Sequence, residues 1–390
     1  MIFRNKNKNQ KQRHIAFLIT ESSYFLSHRK AIADACLAKN WHVTLIAKID
    51  PMHISQLKGI HIVNHDMNRA SRNVLREFVT LVQVCRRVHS VRPDILHAVG
   101  LKPVLYGVFA ARIFNINALC ALAGLGYLFI SSKPFTQFLR LVIIYWMKIF
   151  LRNWRVGVIL QNKADMAKLK SYDVVHPDQI TLIRGSGVDL VALKPLPFPE
   201  GVTVFAVTSR MLGDKGIREI VWAARHLRWR GVEFVVRLYG EPDPGNLSSL
   251  TSEQLEAWHA EGVIEWHGYE ADVKKIWRDA HVCLLPSYRE GLPKAMLEAA
   301  ACGRPLISTN VPGCADVVTD GVNGLLVPAR DWLELADAML RFVRSKDLCM
   351  KMGAAAREKV EINFGLPMVV EQTLAAYEKL SKSDENSVRR

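Results

Sequence analysis

Two carboxylates lie close to the predicted start of one helix. A predicted strand, His281–Leu285, ends in a loop, and Pro293 is well placed as the first residue of the following helix. Glu290 then lies in the loop, and Glu298 lies about a turn inside the helix. The free N–H groups at a helix start can hold an anion, and carboxylates accept hydrogen bonds from vicinal hydroxyls. The pattern is typical of a site for a ligand with a phosphate in the middle and a sugar on either side.

The spacing of the same two carboxylates disfavours a glycosidase. Eight residues of continuous helix span roughly 12 Å, whereas the acid and base of hydrolytic pairs lie roughly 5–9.5 Å apart. Two carboxylates from one strand–helix junction would also lie side by side, and they could not flank a bond. The spacing therefore favours binding over hydrolysis.

Two cations fall at a second strand–helix junction. Arg210 and Lys215 lie between a predicted strand, Val202–Thr208, and a predicted helix, Ile217–Trp229. Together with the helix dipole they could bind a diphosphate. The segment is neither a Walker loop nor a GxGxxG fingerprint, and an ordinary surface turn is the alternative.

The composition indicates a globular protein of two domains. The 390-residue chain is 49% hydrophobic, which excludes intrinsic disorder, and its 23 Gly and 16 Pro follow no period, which excludes collagen-like and repeat architectures. Its length fits two domains, each with its own core. The seven Cys are odd in number and form no CxxC pair, so a reducing cytosol is favoured over a disulfide framework or a zinc ribbon.

Charge is distributed unevenly along the chain. Residues 1–196 hold 28 Lys and Arg against 10 Asp and Glu, a net of +18, and the remainder holds 24 against 27, a net of −3, which together give +15. The basic half is expected to meet nucleic acid, an anionic membrane or a phosphorylated substrate. A generally basic proteome is the alternative explanation.

Two segments of the basic half bear on membrane contact. Ile113–Ser132 is twenty residues without a charge, the length of a spanning helix, but its Asn residues and its Gly-Leu-Gly fit a buried strand and a loop better. Pro134–Arg155 is aromatic and aliphatic, with four cations and no acid. We expect it to form a helix in a membrane interface, with a buried helix that has a solvated basic face as the alternative.

Short apolar runs alternate with longer helical patterns in both halves of the chain. In the first half, strands are predicted at His14–Thr20, Trp41–Ala47 and Ile95–Ala98, and helices at Phe25–Lys39 and Arg72–Ser90. This alternation predicts an α/β fold of two Rossmann-like domains, whose parallel sheets face a central ligand-binding cleft. The predicted bounds are 1–13 for a basic tail, 14–192 for the first domain, 193–200 for a Pro-rich linker, 201–365 for the second domain, 366–380 for a C-terminal helix that can pack back on the first domain, and 381–390 for a disordered tail.

Longer stretches resemble the family 4 retaining glycosyltransferases, which have the two-domain GT-B fold. PSYREGLPKAMLEAAACGRPLISTNVPGCADVVTDGVNGLLVP is similar to their nucleotide-sugar-binding region, and the SR…DKG and YGE elements precede it at similar spacings. FLSHRKAIADACLAKNWHVTLIA, ILHAVGLKPVLYG and AGLGYLF resemble the subgroup that builds bacterial surface polysaccharides. Members of that subgroup often use polyprenyl-diphosphate-linked acceptors.

The resemblance implies roles for the donor-side residues. Arg210 and Lys215 would bind the donor diphosphate and stabilise the leaving nucleoside diphosphate. Glu290 would contact hydroxyls of the transferred sugar, and Glu298 would hold the ribose. The remaining donor-binding candidates are Gly291, Leu292 and Pro293 near the phosphates and the sugar, and Gly240 and Glu241 at the base.

The first domain supplies one catalytic candidate and the acceptor-binding candidates. His97 matches a position at which the family often has a functional His, although a buried histidine at a strand end is the alternative. The family's other position for this His holds Val99 here, and Asp316 stands where the family has Glu. The acceptor-binding candidates are Ser22, Ser23, His28, Arg29, Gly124, Gly126 and Tyr127.

The sequence and the resemblance together predict a sugar transferase that retains the anomeric configuration. The expected donor is a UDP-sugar carrying a hexose or an N-acetylhexosamine. The expected acceptor is a polyprenyl-diphosphate-linked saccharide of capsule, O-antigen or exopolysaccharide biosynthesis. The protein would act as a peripheral protein at the cytoplasmic face of the inner membrane, held to anionic lipid by its basic first domain.

We expect no metal and no cofactor besides the UDP-sugar co-substrate, because cations can neutralise the diphosphate and the sequence contains no His/Asp ligand cluster. Two alternatives remain open. One is a sugar-nucleotide epimerase with the GT-B fold, and the other is a basic, non-enzymatic nucleic-acid binder. Since no helix-turn-helix, RNA-binding or zinc-finger signature is found, we expect no nucleic-acid partner.

Overall fold

The computed structural model describes residues 12–67, 73–122, 124 and 134–388. The first domain is built on a sheet of seven strands. These are β1 (His14–Glu21), β2 (His42–Lys48), β3 (His61–Asn64), β4 (Ile95–Val99), β5 (Asn117–Leu122), β6 (Val156–Leu160) and β7 (Ile180–Leu182). The helices between them are α1 (Ser22–His28), α2 (Lys30–Ala38), α3 (Val74–Val91), α4 (Leu101–Phe114), α5 (Pro134–Leu151) and α6 (Lys163–Ser171).

The first sheet has the order β3-β2-β1-β4-β5-β6-β7, and every neighbouring pair of strands is parallel. β4, β5 and β6 are buried at every position. Continuous apolar strands of this kind suit a sheet that is covered on both faces. The carboxyl ends of the strands, from which α1, α4 and α6 begin, therefore form one edge of the domain.

The second domain is built on a sheet of six strands. These are β8 (Val204–Thr208), β9 (Val235–Tyr239), β10 (Glu265–Trp266), β11 (Val282–Leu285), β12 (Leu306–Thr309) and β13 (Gly324–Val327). The helices are α7 (Ile217–Trp229), α8 (Ser252–Ala260), α9 (Val273–Arg278), α10 (Lys294–Ala301), α11 (Cys314–Val317), α12 (Trp332–Arg344) and α13 (Lys346–Asn363), and α14 (Leu366–Val388) ends the described chain.

The second sheet has the order β10-β9-β8-β11-β12-β13, again with parallel pairs only. Two parallel sheets with intervening helices confirm the predicted α/β fold. β8 and β11 are neighbours, so the loops that follow them meet at the carboxyl edge of the sheet. A doubly wound sheet of this kind binds ligands at that edge.

The chain passes between the domains twice, and the two passages lie side by side. The N–H of Val188 donates to the carbonyl of Phe364 at 2.9 Å, and the N–H of Leu366 donates back to Val188 at 2.9 Å. After this crossing, α14 packs against α2 and β5 of the first domain. Tyr377 of α14 is fully buried there.

Two expectations about helices need correction. The disordered tail expected at 381–390 is wrong for 381–388, because α14 runs on to Val388 and no Gly or Pro interrupts this stretch. The single helix expected over Phe25–Lys39 is two helices, α1 and α2. Arg29 separates them, because its backbone angles (φ −132°, ψ −11°) leave the helical region.

Candidate active site

The loops after β8 and β11 are packed directly on each other. The N–H of Tyr288 donates to the carbonyl of Asp214 at 2.8 Å. Gly216 has a φ of +75°, and a side chain at this position would collide with the carbonyl of Pro286. Glycine is therefore required here both by its backbone angle and by the close approach of the neighbouring loop. The contact brings the two predicted donor elements together at one strand edge.

Lys215 and Glu290 meet at the centre of this contact. The Lys215 Nζ lies 2.5 Å from Glu290 Oε1, and the Ser287 hydroxyl donates to the same oxygen at 2.7 Å. The two charged side chains are only 19% and 12% exposed. An ammonium held beside a carboxylate at a helix start offers one group to a diphosphate and another to sugar hydroxyls.

Arg210 lies at the same edge in a more open position. Its guanidinium forms an ion pair with Asp243, a residue of the loop after β9. The side chain of Arg210 is 44% exposed, so an incoming anion can reach it. The sequence did not predict the ion pair between Arg210 and Asp243.

The Tyr239-Gly240-Glu241 turn is fixed by contacts on both sides. A side chain at Gly240 would collide with the carbonyl of Ser209, which explains the glycine. The indole N–H of Trp266 donates to the Gly240 carbonyl at 2.9 Å. Glu241 Oε1 accepts from the N–H of Tyr269 at 3.1 Å. The turn therefore lies beside the loop that carries Arg210, and its role at the base stays a prediction.

The helix that carries Glu298 begins one residue later than predicted. α10 starts at Lys294, and Pro293 is its N-cap with extended angles (φ −74°, ψ 111°). The Glu298 carboxylate forms an ion pair with Lys294 at 2.8 Å and is 12% exposed. Glu298 thus lies about one turn inside α10. Its contact with ribose stays a prediction.

On the other side of the cleft, His28 and Arg29 lie between α1 and α2. The His28 ring stacks on Tyr24 with centroids 4.1 Å apart. Burial, followed by the charges of Arg29 and Lys294, lowers the pKa of His28 to about 3, so this ring is neutral at physiological pH. Lys294 belongs to α10, so the charge of a second-domain residue contributes to the environment of His28.

Arg29 is a buried cation without a carboxylate partner among the side chains that the structure describes. It is 4% exposed, its Nη1 donates to the His28 carbonyl at 2.9 Å, and its Nε has no partner. A buried charge that lacks a counter-ion is costly, so this position favours an anionic ligand.

The two predicted serines differ in accessibility. Ser22 is 2% exposed, and its hydroxyl accepts from the Asp50 N–H at 3.0 Å and bonds His53 Nδ1 at 2.9 Å. Its expected contact with acceptor is therefore wrong in this arrangement, because the hydroxyl is used to fix the loop after β2. Ser23 is exposed and remains a candidate. Gly126 and Tyr127 lie outside the described residues.

Sequence comparison assigns both halves of the chain to one class of enzyme. Residues 14–154 match the family described as Glycosyl transferase 4-like, and residues 192–359 match Glycosyl transferases group 1. The N,N'-diacetylbacillosaminyl-diphospho-undecaprenol alpha-1,3-N-acetylgalactosaminyltransferase of Campylobacter jejuni is 22% identical over 83% of this chain and 87% of its own length. The chain is a glycosyltransferase.

Two further comparisons agree with this assignment. The putative colanic acid biosynthesis glycosyltransferase WcaL of Escherichia coli is 32% identical, over 51% of this chain and 51% of its own length. This glycosyltransferase therefore aligns with about half of that relative. The structure of Anabaena Alr3699/HepE in complex with UDP and glucose superposes with a TM-score of 0.74 over 93% of this chain and 99% of that one, at 18% identity. This likeness shows the GT-B fold.

His97 of this glycosyltransferase does not reach the cleft. It is fully buried, its Nδ1 lies 2.5 Å from the Tyr377 hydroxyl, and its ring packs against Phe17 at 5.1 Å. Burial, with a smaller contribution from Arg29, holds the pKa of His97 well below its usual value. The catalytic role predicted for His97 is therefore wrong in this arrangement, since an enclosed ring cannot touch a substrate. It joins β4 to α14 instead.

The glycosyltransferase also has contacts between its domains that the sequence analysis missed. Arg289 forms an ion pair with Asp165 at the start of α6, and Asn162 Nδ2 donates to the Gly291 carbonyl at 2.9 Å. Gly124 faces the same loop, because a Cβ placed on it would lie 3.3 Å from the Gly291 Cα. Gly124, which belongs to the predicted acceptor loop, therefore lies next to the loop after β11 (residues 286–293), which we call the donor loop.

One surface of the first domain exposes apolar side chains. Trp146 of α5 stacks on Phe109 of α4 at 5.4 Å and donates to the Leu105 carbonyl at 3.2 Å, which fixes one side of α5. Another side of α5 points outward, and four large residues at helical spacing there are more than half exposed: Phe138, Leu141, Tyr145 and Ile149. Within the described parts of the chain, no helix has both the length and the apolar character needed to cross a bilayer.

Proposed function

We propose that this glycosyltransferase moves a hexose or an N-acetylhexosamine from a UDP-sugar to a polyprenyl-diphosphate-linked saccharide, in the assembly of a bacterial surface polysaccharide. The observation that carries the proposal is the contact between Lys215 and Glu290 at the adjoining ends of β8 and β11. The printed name of the Campylobacter relative includes a diphospho-undecaprenol acceptor, and the Anabaena structure holds UDP and glucose. Both support these substrate classes.

The donor is proposed to lie along the loops that follow β8 and β11. Its diphosphate would approach Lys215 and Arg210, and Lys215 would turn part of its charge from Glu290 to the phosphates. Glu290 and the backbone of Gly291 would then face the sugar, and Glu298 would face the ribose. This arrangement assigns the neutralisation of the diphosphate to protein cations.

The transfer step is proposed to retain the anomeric configuration. The bond between the sugar C1 and the donor phosphate oxygen breaks as a bond from C1 to the acceptor oxygen forms on the same face. The acceptor hydroxyl gives its proton to the departing phosphate, so the leaving group is UDP. Glu290 is already engaged by Lys215 and Ser287, which favours a binding role for this carboxylate over a nucleophilic one.

The acceptor is proposed to enter along the first domain. Arg29 offers the acceptor diphosphate a buried charge that pairs with no carboxylate among the described side chains, and Ser23 is exposed six residues earlier. The exposed apolar side chains of α5, with Arg140 and Lys148 on the same helix, would lie in the interface of an anionic membrane. We therefore propose a peripheral protein at the cytoplasmic face of the inner membrane.

A transfer assay tests this function. The purified protein is incubated with UDP-sugars and GDP-sugars and with a polyprenyl-diphosphate-linked saccharide, and proton NMR reads the anomeric configuration of the product. We expect a UDP-sugar to be consumed only when acceptor is present, with retention, and we expect Lys215→Ala to abolish most of the activity. Lys275→Ala is the matched control, because Lys275 pairs with Glu270 at an exposed site of the same domain. Conversion of UDP-sugar without acceptor, or an inverted product, would contradict the proposal.

A further inference from the structure

Adjacent residues of the donor loop reach to opposite domains. Glu290 contacts Lys215 of its own domain, whereas Arg289 contacts Asp165 of the first domain. The Arg289–Asp165 pair is well enclosed, with side chains 16% and 2% exposed. Charged side chains are rarely buried unless they are paired, and separating such a pair without returning it to water would leave a costly unpaired charge. The position of the Glu290 carboxylate is thus tied, through one peptide bond, to the first domain.

Asn162 holds the loop at a second point. It is the N-cap of α6, where its Oδ1 accepts from the Asp165 N–H at 2.7 Å. Its Nδ2 donates to Asp165 Oδ2 at 3.1 Å and to the Gly291 carbonyl at 2.9 Å. Asn162 is 1% exposed. The start of α6 therefore orients the Asp165 carboxylate and fixes the backbone of the donor loop at the same time.

Glycines in both domains allow the backbone to pack closely against the same loop. A Cβ at Gly124 would lie 3.3 Å from the Gly291 Cα, and a Cβ at Gly185 would lie 2.6 Å from Leu292 Cδ2. Within the second domain, a Cβ at Gly313 would lie 2.7 Å from the Glu290 carbonyl. The loop is therefore held from both domains, and it cannot keep these contacts if the domains move apart.

We propose that Asn162, Asp165 and Arg289 form a latch between the domains, and that the latch positions Glu290 and Gly291 for transfer when the cleft is closed. Arg289 is a positioning residue, since it acts through its neighbours and is not proposed to touch the sugar. When the domains separate, Arg289 and Asp165 return to water, and the donor loop loses its contacts with the first domain. Hinge closure of this kind couples binding on both sides of a cleft to one arrangement of the site.

Loss of the latch should affect donor binding and sugar transfer differently. UDP is expected to bind the second domain alone, through Lys215 and the start of α10, so loss of the latch should leave its affinity unchanged. Transfer requires donor and acceptor to meet, so loss of the latch should lower kcat. This part of the test rests on the proposed function.

The experiment compares Arg289→Gln, Asp165→Asn and the double variant with the wild-type enzyme. We expect each single variant to lower kcat at least tenfold while the Kd for UDP, measured by calorimetry, stays within twofold. The double variant should be no worse than the singles, because both remove one interaction. Arg289→Lys keeps the charge and should recover part of kcat. Arg225→Gln is the matched control, since it breaks an exposed Arg–Glu pair inside the second domain.

Small-angle scattering and hydrogen exchange give a readout that needs no transfer. If the latch holds the cleft closed, Asp165→Asn should increase the radius of gyration and speed exchange in residues 289–292, while its circular dichroism spectrum stays that of the wild type. The latch would be overturned if the variants kept the kcat, the hydrogen exchange rates and the radius of gyration of the wild type. It would also be overturned if the double variant lost as much kcat as the two single losses multiplied together. If the wild-type protein transfers no sugar, the proposed function fails, yet the scattering result still decides the latch.

Discussion

At the scale of single residues, Lys215 is the group on which the proposed donor chemistry depends most. Its ammonium lies next to Glu290, where charge would develop on the departing UDP of the proposed donor. Removing one such stabilising group commonly costs about 2.7–4 kcal/mol, or roughly 10²–10³ in kcat. We expect Lys215→Ala to lower kcat about 100-fold or more in steady-state assays. An effect no larger than that of Lys275→Ala would contradict this role.

His97 is expected to govern stability rather than catalysis. Its folded pKa lies well below its unfolded value, because the ring is buried. The unfolded chain therefore takes up a proton below about pH 6.5 that the folded chain excludes. The free energy of unfolding should fall as pH drops below that point, by up to about 1.4 kcal/mol per pH unit for this one group.

His97→Gln isolates the contribution of this ring. Glutamine can keep a hydrogen bond to the Tyr377 hydroxyl but does not titrate. Urea unfolding between pH 4.5 and 7.5 should therefore give a shallower pH dependence in His97→Gln than in the wild type. An unchanged slope in His97→Gln would show that this ring does not carry the pH dependence.

At the scale of structural elements, two glycines with the same backbone angle separate conformation from close packing. Gly216 and Gly231 both have a φ of +75°. A side chain at Gly216 would collide with Pro286, whereas nothing lies within 4 Å of a Cβ at Gly231. We expect Gly231→Ala to cost about 1 kcal/mol from strain alone. Gly216→Ala should cost more in thermal unfolding and should also weaken UDP binding, because it pushes the two donor loops apart.

Helix α5 carries the prediction about membranes. Phe138→Ser with Leu141→Ser removes two exposed apolar side chains, and Lys148→Gln removes one charge, worth about 1 kcal/mol near an anionic surface. We expect these changes to reduce cosedimentation with vesicles that contain phosphatidylglycerol, while UDP affinity is kept. Trp229→Ser is the matched control, because Trp229 is an exposed aromatic residue of the second domain. Equal binding by wild type and variants would contradict the assigned surface.

The elements were largely predictable because parallel strands buried on both faces have a strong apolar signal. β3, β6 and β7 were missed. β3 and β7 are the short edge strands of the first sheet and are only partly buried, whereas β6 is an inner strand that is buried at every position. The break at Arg29 also lacks a sequence signal, because its residue type is compatible with a continuous helix. Local patterns therefore predicted most of the inner strands, but they did not predict β6, the two edge strands or the break between α1 and α2.

At the scale of the whole molecule, contacts between distant segments decided which candidate residues face the cleft. His97 is enclosed by Tyr377, which lies 280 residues later in the chain, and Arg289 meets Asp165 across 124 residues. The local pattern of a single sequence does not predict contacts between residues so far apart in the chain. Lys215 and Glu290 could be assigned separately from their strand–helix junctions, whereas their direct contact follows from the pairing of β8 with β11.

UDP calorimetry on the wild type and on Glu298→Ala tests the central claim, that the loops after β8 and β11 with the start of α10 form a nucleotide-sugar site. Glu361→Ala is the matched control, because Glu361 forms a similar i,i+4 pair on α13. The account predicts that UDP binds the wild type and the control alike, and binds Glu298→Ala at least tenfold more weakly. No UDP binding by the folded wild-type protein, or equal binding by all three proteins, would contradict it.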